Sequence, residues 1–308
     1  MMNDEETDRM MIRAQSALRR SAGIALLAAG GVLASSLVVP FDAGALTGRI
    51  VVAGSGPEQP IIQDLARAFE KLHPGAAIDI EWDKTVRAVE LVKTGEAQVA
   101  VTDRPEPALD SSLIAWDGIA VVVNFANPLG ELTSDQVGRL FTGRLTRWSE
   151  LDGADKPVEL VVRTAKDNLT AGYEASLGIA GKLAEAATVA KSDQQTLRLV
   201  SGRDAAISYM SLGVALRAQE DGVPIRVLTI DHVEPGEPTV ASGRYPLKRP
   251  VLLLTALRPD PLTVSFISFA RSAAGQPLVR PLYTPVGSSS ALTLPLVPSS
   301  PDTPRPAT

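Results

Sequence analysis

The sequence predicts an α/β protein, in which apolar strands alternate with amphipathic helices around a parallel sheet. Two observations support this: a strand, a glycine turn and a helix follow one another over residues 49–72, and strand and helix patterns then keep alternating to about residue 270. The chain has 308 residues, 45% of them hydrophobic and 21% charged. That length exceeds what one hydrophobic core usually serves, so we expect two α/β units.

The first α/β unit reads as β, α, β, α, β. Its predicted elements are a strand over residues 49–53, a helix over 61–72, a strand over 76–82, a helix over 86–92 and a strand over 98–102. Residues 54–56 (Gly-Ser-Gly) break the pattern between the first strand and the first helix. This order implies parallel strands with helices on the faces of the sheet.

A second α/β unit follows. Thr133 and Gln136 form a capping-box pattern that predicts the start of a helix. Leu262, Phe266 and Phe269 mark a late helix. Strands are predicted over residues 119–123, 158–162, 205–209, 225–230 and 251–257.

Composition narrows the classes of function. The net charge is −5, so no overall positive field is available to hold nucleic acid or an anionic membrane. There is no cysteine, which excludes disulfides, thiolate metal sites and thiol lipidation. The chain has two histidines, His73 and His232, too few for a typical zinc enzyme or a serine-protease triad. A binder remains, or an enzyme that uses carboxylates, hydroxyls and backbone dipoles.

The N-terminal segment has the pattern of an export signal. Arginines at 13, 19 and 20 precede an uncharged run over residues 22–39, and small residues follow at 43–45. We expect residues 1–45 to be a signal peptide cleaved before Leu46, with an uncleaved anchor as the alternative. The mature protein would then be periplasmic or secreted and not a lipoprotein. Residues 287–308, rich in Pro and Ser, predict a disordered tail.

Three segments place polar groups where predicted strands end, at the edge where open α/β sheets bind ligands. The turn at 54–56 could hold a small anion at a helix start, or could be a flexible capped loop. Asp103 and Arg104 could face a ligand or form a surface ion pair. Residues 163–170 bring cationic and capping groups to one turn, as an ordinary polar loop also would.

Asp79, Glu81 and Asp83 alternate onto one face of a predicted strand. Neighbouring carboxylates can serve as general acid and base, so this face is a candidate for hydrolytic catalysis. A solvated strand face explains the same pattern.

The order of these segments resembles the PstS-like phosphate-binding proteins of ABC uptake systems. The most specific stretch is DGIAVVVNFANP followed by LTSDQVGRLFTGRLTRWSEL, within residues 116–151. IVVAGSG at Ile50, AISYMSLG at Ala206 and SGRYPLKRPVLLLT at Ser242 also match, and the resemblance spans nearly all of residues 49–286.

The resemblance implies a two-lobed periplasmic-binding-protein fold (type II). Lobe 1 would comprise residues 46–124 and about 246–286, and lobe 2 residues 125–245. A small oxyanion would sit in the cleft between them. Carried over by position, the ligand-binding residues would be Ser55, Gly56, Thr85, Asp103, Arg163, Asn168 and Thr170.

Two of the family's anion-binding loops differ in this chain. Lys84 and Val86 stand where glycines flank the family's second serine, and Asp167, Asn168 and Leu169 replace a Gly-Ser-Gly, with one extra residue. A Cβ at such positions can block a close approach of the backbone to an anion.

By resemblance, the function would be capture of a small oxyanion, most directly phosphate, for an ABC permease or signalling partner. No reaction, cofactor, metal or nucleic acid is implied, and we expect a monomer. The alternatives are a degenerate relative that acts as a sensor or interaction module, and a carboxylate-dependent hydrolase. We expect Arg163 to be the main cationic contact, and Arg163→Ala to weaken binding without changing the stability of the free protein.

Overall fold

The computed structural model describes residues 46–83, 87–165 and 167–287. The predicted signal segment, Thr85 and all but the first residue of the predicted tail lie outside the described residues. No helix within the described ranges is long and apolar enough to cross a membrane.

Twelve strands are assigned within the described ranges. They are β1 Gly48–Gly54, β2 Ala76–Trp82, β3 Val99–Thr102, β4 Asp110–Asn124, β5 Glu131–Leu132, β6 Glu159–Arg163, β7 Thr188–Ala190, β8 Ala206–Ser211, β9 Ile225–Val227, β10 Thr229–Ile230, β11 Lys248–Thr255 and β12 Thr284–Pro285. The main sheet runs β2-β1-β3-β11-β4-β8-β6-β7, with β9 and β12 also paired to β4, and β5 pairs with β10 separately.

The α-helices lie on the faces of the sheet. They are α1 Gln59–Leu72, α2 Ala88–Thr94, α3 Ser134–Phe141, α4 Asn168–Leu177, α5 Asp193–Ser201, α6 Leu212–Glu220, α7 Glu237–Ala241, α8 Pro261–Arg271 and α9 Gln276–Val279. The predicted capping box is present at α3, where Gln136 N donates to Thr133 Oγ1 over 3.1 Å and Thr133 N donates to Gln136 Oε1 over 2.7 Å.

The long strand β4 connects two parts of the hydrophobic core. Its first half, to Gly118, pairs antiparallel with β11, and its second half pairs antiparallel with β8. One part consists of two clusters, both drawn from residues 50–115 and 251–286, and the other part is a single cluster drawn from residues 119–247. The chain therefore passes from one packed unit to the other within a single strand.

In the main sheet, parallel pairing occurs among the strands on either side of β11 and β4, and the separate pair β5 and β10 is also parallel. β1 pairs in parallel with β2 and β3, and β6 with β7 and β8, as the alternation of strands and helices predicts. The α/β fold class is confirmed. β11 and β4 run antiparallel because the chain crosses along one and returns along the other, which the local sequence pattern does not reveal.

Helix α1 shows how the pattern of the sequence produces packing. Pro60 lies in its first turn, where the missing amide hydrogen costs no helical hydrogen bond. Ile61, Ile62, Leu65 and Phe69 fall on one face and are fully buried. Each such burial is worth about 1.5–3 kcal/mol, and together they fix the helix start against the end of β1.

Candidate functional site

A cleft of about 680 Å³ opens where β1, β6 and β7 end. One wall carries the turn between β1 and α1, and the other carries the starts of α4 and α5. The residues that line it include Ser55, Gly56, Gln59, Trp82, Asp83, Arg163, Thr164, Asp167, Lys191, Ser192, Asp193 and Gln194. These strand ends are the edge at which the sequence places its polar loops.

The turn after β1 needs its glycines. Gly56 has a φ of +121°, in a region that residues with a Cβ rarely adopt. A Cβ there would also lie 2.7 Å from Oε2 of Glu58. Trp82 covers the turn, because its Nε1 donates to Gly56 O over 3.1 Å and its ring fills the space that a Cβ on Gly54 would need. The half-buried Trp82 thus supports the cleft wall.

Arg163, at the end of β6, is held by two carboxylates. Its Nε and Nη2 donate to Asp167 Oδ2 over 3.0 and 2.7 Å, and its Nη1 donates to Asp193 Oδ1 over 2.9 Å. The side chain is 5% exposed. Its guanidinium lies at the cleft with part of its hydrogen-bonding capacity already used by the protein.

The start of α4 connects the two walls. Asn168 Nδ2 donates to Ser55 O over 3.1 Å, which joins α4 to the turn after β1. Asp167 is the N-cap of α4 and accepts from Leu169 N over 3.0 Å. A Cβ on Gly56 would lie 3.8 Å from Asp167 Oδ1, so this carboxylate faces the glycine turn.

Three predicted ligand residues, Ser55, Gly56 and Arg163, line the cleft together. Asn168 reaches it through its bond to Ser55. Thr170 is buried, and its hydroxyl donates to Thr164 O and shares a hydrogen bond of 2.9 Å with Tyr209 OH. In this arrangement the Thr170 hydroxyl positions the loop after β6.

Asp103 follows β3 and is not among the residues that line the cleft, and its side chain is 2% exposed. Its Oδ1 accepts no hydrogen bond from the described residues and lies 3.5 Å from Arg104 Nε. Burial raises the pKa of Asp103, while the charges of Arg249 and Arg104 oppose that rise. Asp103 is therefore a buried acceptor with unused capacity.

A second buried guanidinium, which the sequence did not predict, lies where β11 pairs with β4, at the position of Asp117. Arg249 is 1% exposed, its Nη2 lies 2.5 Å from Glu58 Oε1, and its Nε and Nη2 donate to Asp117 Oδ2. Ser211 Oγ also donates to Asp117 Oδ2, over 2.7 Å. We call these four residues the Arg249 cluster. It ties the start of α1 to β4, β8 and β11.

Gly172 in α4 packs directly on the Arg249 cluster. A Cβ at Gly172 would lie 2.6 Å from Arg249 Cδ, so helix α4 can approach β11 only with glycine at this position. A signal for the cluster was present in the sequence. Arg249 and Asp117 are charged residues that adjoin apolar runs, 251–254 in β11 and 119–123 in β4, a pattern that can indicate a buried ion pair.

Burial dominates the electrostatics of the Arg249 cluster. Glu58 and Asp117 share one guanidinium in a dry environment, and desolvation raises the pKa of both, that of Glu58 to about 7. The charge of Arg249 opposes both rises. Folded protein therefore retains a proton on Glu58 that the unfolded chain releases at a lower pH.

This proton predicts a pH dependence of stability. Between pH 4.5 and about 7 the folded state binds more protons at Glu58 than the unfolded state, so the free energy of unfolding should fall as pH rises through that range. We expect a fall on the order of 1–3 kcal/mol. Asp103, Asp117 and Asp193, whose pKa values burial also raises, contribute with the same sign.

Urea unfolding at pH 5 and at pH 8 measures this effect. Glu58→Gln should flatten the pH dependence, whereas Glu81→Gln, at an exposed carboxylate, should leave it unchanged. An equal pH slope in wild type and Glu58→Gln would contradict the assignment to Glu58.

The carboxylates of the β2 face do not converge. Asp79 pairs with Arg49 over 2.5 Å with both side chains well exposed, Glu81 is exposed, and Asp83 lies at the cleft wall. This geometry favours the solvated strand face over paired catalytic acids. No cluster of His, Asp and Glu suited to a metal ion occurs among the residues described.

Proteins named as phosphate-binding proteins are similar in sequence to parts of this chain. The phosphate-binding protein PstS 2 of Streptococcus agalactiae is 29% identical over 135 residues, which cover 42% of this chain and 46% of that protein, less than half its length. PstS of Bacillus subtilis is 24% identical over 209 residues, covering 65% of this chain and 68% of that protein.

A solved structure shows the same fold. The crystal structure of an ABC-type phosphate transport receptor from Vibrio cholerae superposes with a TM-score of 0.68 at 26% identity, covering 76% of this chain and 98% of that one. The two-lobed fold expected from the sequence is thereby confirmed. A family model described as a PBP superfamily domain matches residues 42–274. The chain therefore belongs to this family of PBP superfamily domains.

Proposed function

We propose that this protein captures a small oxyanion, phosphate above all, and delivers it to an ABC-type uptake system. The observation that carries the proposal is a buried guanidinium, that of Arg163, in the same cleft as the Ser55 and Gly56 turn. A helix start and a guanidinium are two donors suited to phosphate. The relatives named as phosphate-binding proteins support phosphate as the ligand.

In this proposal, hydrogen-bond donors fixed on both walls of the cleft bind the oxyanion. The Ser55 hydroxyl and the amides at the start of α1 donate from one wall, and Arg163 and Asn168 donate from the other. Thr85 and Thr170 remain proposed contributors. A hydrogen bond already spans the walls between Asn168 and Ser55, so ligand binding would tighten an existing contact.

Hinge closure would sequester the ligand. We propose that residues 46–124 and about 246–286 form lobe 1 and residues 125–245 form lobe 2, connected by β4 and by the return into β11. Residues 119–123 of β4 already pack in the core of lobe 2, so the core divides a few residues before that boundary, between Ala115 and Ile119. Rotation about these crossing strands would open the cleft for entry and release.

The proposal includes an exported receptor that acts without catalysis, as a monomer, with an ABC permease or signalling protein as its partner. The similar proteins are named as phosphate-binding proteins and as an ABC-type phosphate transport receptor, which supports this assignment. The predicted signal segment supports export to the periplasm or the exterior.

Asp103 should set the preference for phosphate. An ionised carboxylate accepts hydrogen bonds and repels a fully ionised anion, so it favours monohydrogen phosphate or arsenate over sulfate. A thermal-shift series with phosphate, arsenate and sulfate should raise the melting temperature with the first two only. Asp103→Asn, which can also donate, should narrow the difference between phosphate and sulfate.

One outcome contradicts this assignment. If wild type and Asp103→Asn prefer phosphate over sulfate to the same degree, Asp103 does not accept a hydrogen bond from the protonated ligand. Arg104→Ala is the control, because Arg104 is adjacent but 73% exposed and should leave the preference unchanged.

The pairing of Arg163 with two carboxylates favours one second candidate, a family relative with little anion affinity that acts as a sensor or interaction module. Absence of any anion-induced rise in melting temperature would support it. Hydrolysis lost on Glu81→Gln would instead support the carboxylate-dependent enzyme.

A further inference from the structure

The two carboxylates that hold Arg163 are bound unequally. Asp167 accepts three hydrogen bonds, from Nε and Nη2 of Arg163 and from Leu169 N, and its side chain is 8% exposed. Asp193 accepts one hydrogen bond from Arg163, at Nη1, and its side chain is 20% exposed. Asp167 is built into the start of α4, whereas Asp193 is the more accessible and more weakly held partner.

Asp193 contacts Arg163 from inside the cleft, where a bound oxyanion could also contact it. It is the first residue of α5 and lines the cleft with Ser192 and Gln194, in the same cavity as Ser55 and Gly56. The cap of α5 is made by Ser192, whose Oγ accepts from Gln195 N, so α5 does not need the Asp193 carboxylate for that bond. The carboxylate is thus free to leave Arg163 without uncapping the helix.

Burial of Asp193 also disfavours its ionised form. Burial raises its pKa, the charge of Asp167 adds to the rise, and Arg163 and Arg249 oppose it. Since Asp167 already compensates the charge of Arg163, Asp193 brings a second negative charge to a guanidinium that can neutralise one.

We propose that Asp193 is an internal competitor for the oxyanion site. Its carboxylate holds the Nη1 donor of Arg163, and an incoming oxyanion displaces it. This inference rests on the proposed oxyanion function and names the residue that limits affinity. The displaced carboxylate remains beside the bound anion, so binding costs the lost ion pair and the repulsion between like charges.

Two substitutions of equal charge test the proposal. Asp193→Asn removes the competitor's charge, and we expect it to tighten phosphate binding by roughly tenfold, since one like charge within a few ångströms is worth about one pKa unit or more. Asp167→Asn is the matched control, because it removes the same charge from the same guanidinium while Asn still caps α4. We expect no tightening there, since Asp167 positions Arg163.

Calorimetric titration of the full chain and both variants with inorganic phosphate separates the outcomes. Equal tightening in both variants would assign the effect to overall charge and overturn the proposal. Unchanged or weaker binding in Asp193→Asn, with the wild type binding phosphate, would also overturn it and leave the proposed function intact. Binding by Asp193→Asn alone would support the competitor and contradict phosphate capture by the wild type. No binding by any of the three proteins would contradict the proposed function itself.

Discussion

Arg163→Ala should abolish most phosphate binding and also lower the free energy of unfolding by about 3–5 kcal/mol. The binding loss follows from removing the buried cation of the cleft, an effect worth about 2–5 kcal/mol. The stability loss follows because Asp167 and Asp193 would be left without their partner, at 8% and 20% exposure. The structure therefore changes the expectation from sequence that this substitution leaves the free protein unaffected.

The two effects can be separated with a neutral set of substitutions. Arg163→Met combined with Asp167→Asn and Asp193→Asn removes the buried charges together, so it should recover most of the stability and none of the binding. Denaturant unfolding and phosphate titration measure the two quantities. Wild-type affinity in Arg163→Ala would place the anion elsewhere and refute the cleft assignment.

Arg249→Ala should destabilise the protein at least as strongly, by about 3–5 kcal/mol or more. It leaves Glu58 and Asp117, both buried, without a counter-charge, and it opens a cavity between α4 and β11 beside Gly172. The loss should be greatest above pH 7, where Glu58 is ionised. Equilibrium unfolding in urea at pH 5 and at pH 8 measures it.

Lys248→Ala is the matched control for Arg249. Lys248 precedes Arg249, and its Nζ lies 4.2 Å from the centroid of the Trp116 ring. Loss of this cation–π contact should lower the free energy of unfolding by about 0.5–1 kcal/mol. If Arg249→Ala does not fold, the set Arg249→Met, Glu58→Gln and Asp117→Asn should restore folding, because no unpaired charge remains buried. Failure of that set as well, or a small effect of Arg249→Ala, would contradict the cluster's proposed role.

Local sequence patterns were sufficient for the elements that carry a clear signal. The glycine turn after β1 and the capping box of α3 both appear in the structure, since each depends on neighbouring residues alone. The predicted strand over residues 119–123 is the second half of β4, which begins at Asp110. The polar residues at its start conceal the first half, because they pair at a sheet position that is set by the distant strand β11.

The sequence predicts the loops of the candidate site but not the pairing of its charges. Ser55, Gly56 and Arg163 lie where strand ends predict a ligand. Asp193 gave no signal, because it meets Arg163 across 30 positions of chain through the pairing of β6 and β7. Thr85 falls outside the described residues, as do Lys84 and Val86, which stand where the family has glycines.

Calorimetric titration of the purified wild-type protein with phosphate at neutral pH tests the central claim most directly, with sulfate as the comparison anion. We predict a saturable heat at one phosphate per chain, absent with sulfate and lost in Arg163→Ala. No detectable heat at millimolar phosphate, or equal heats for phosphate and sulfate, would contradict the claim that this cleft captures phosphate.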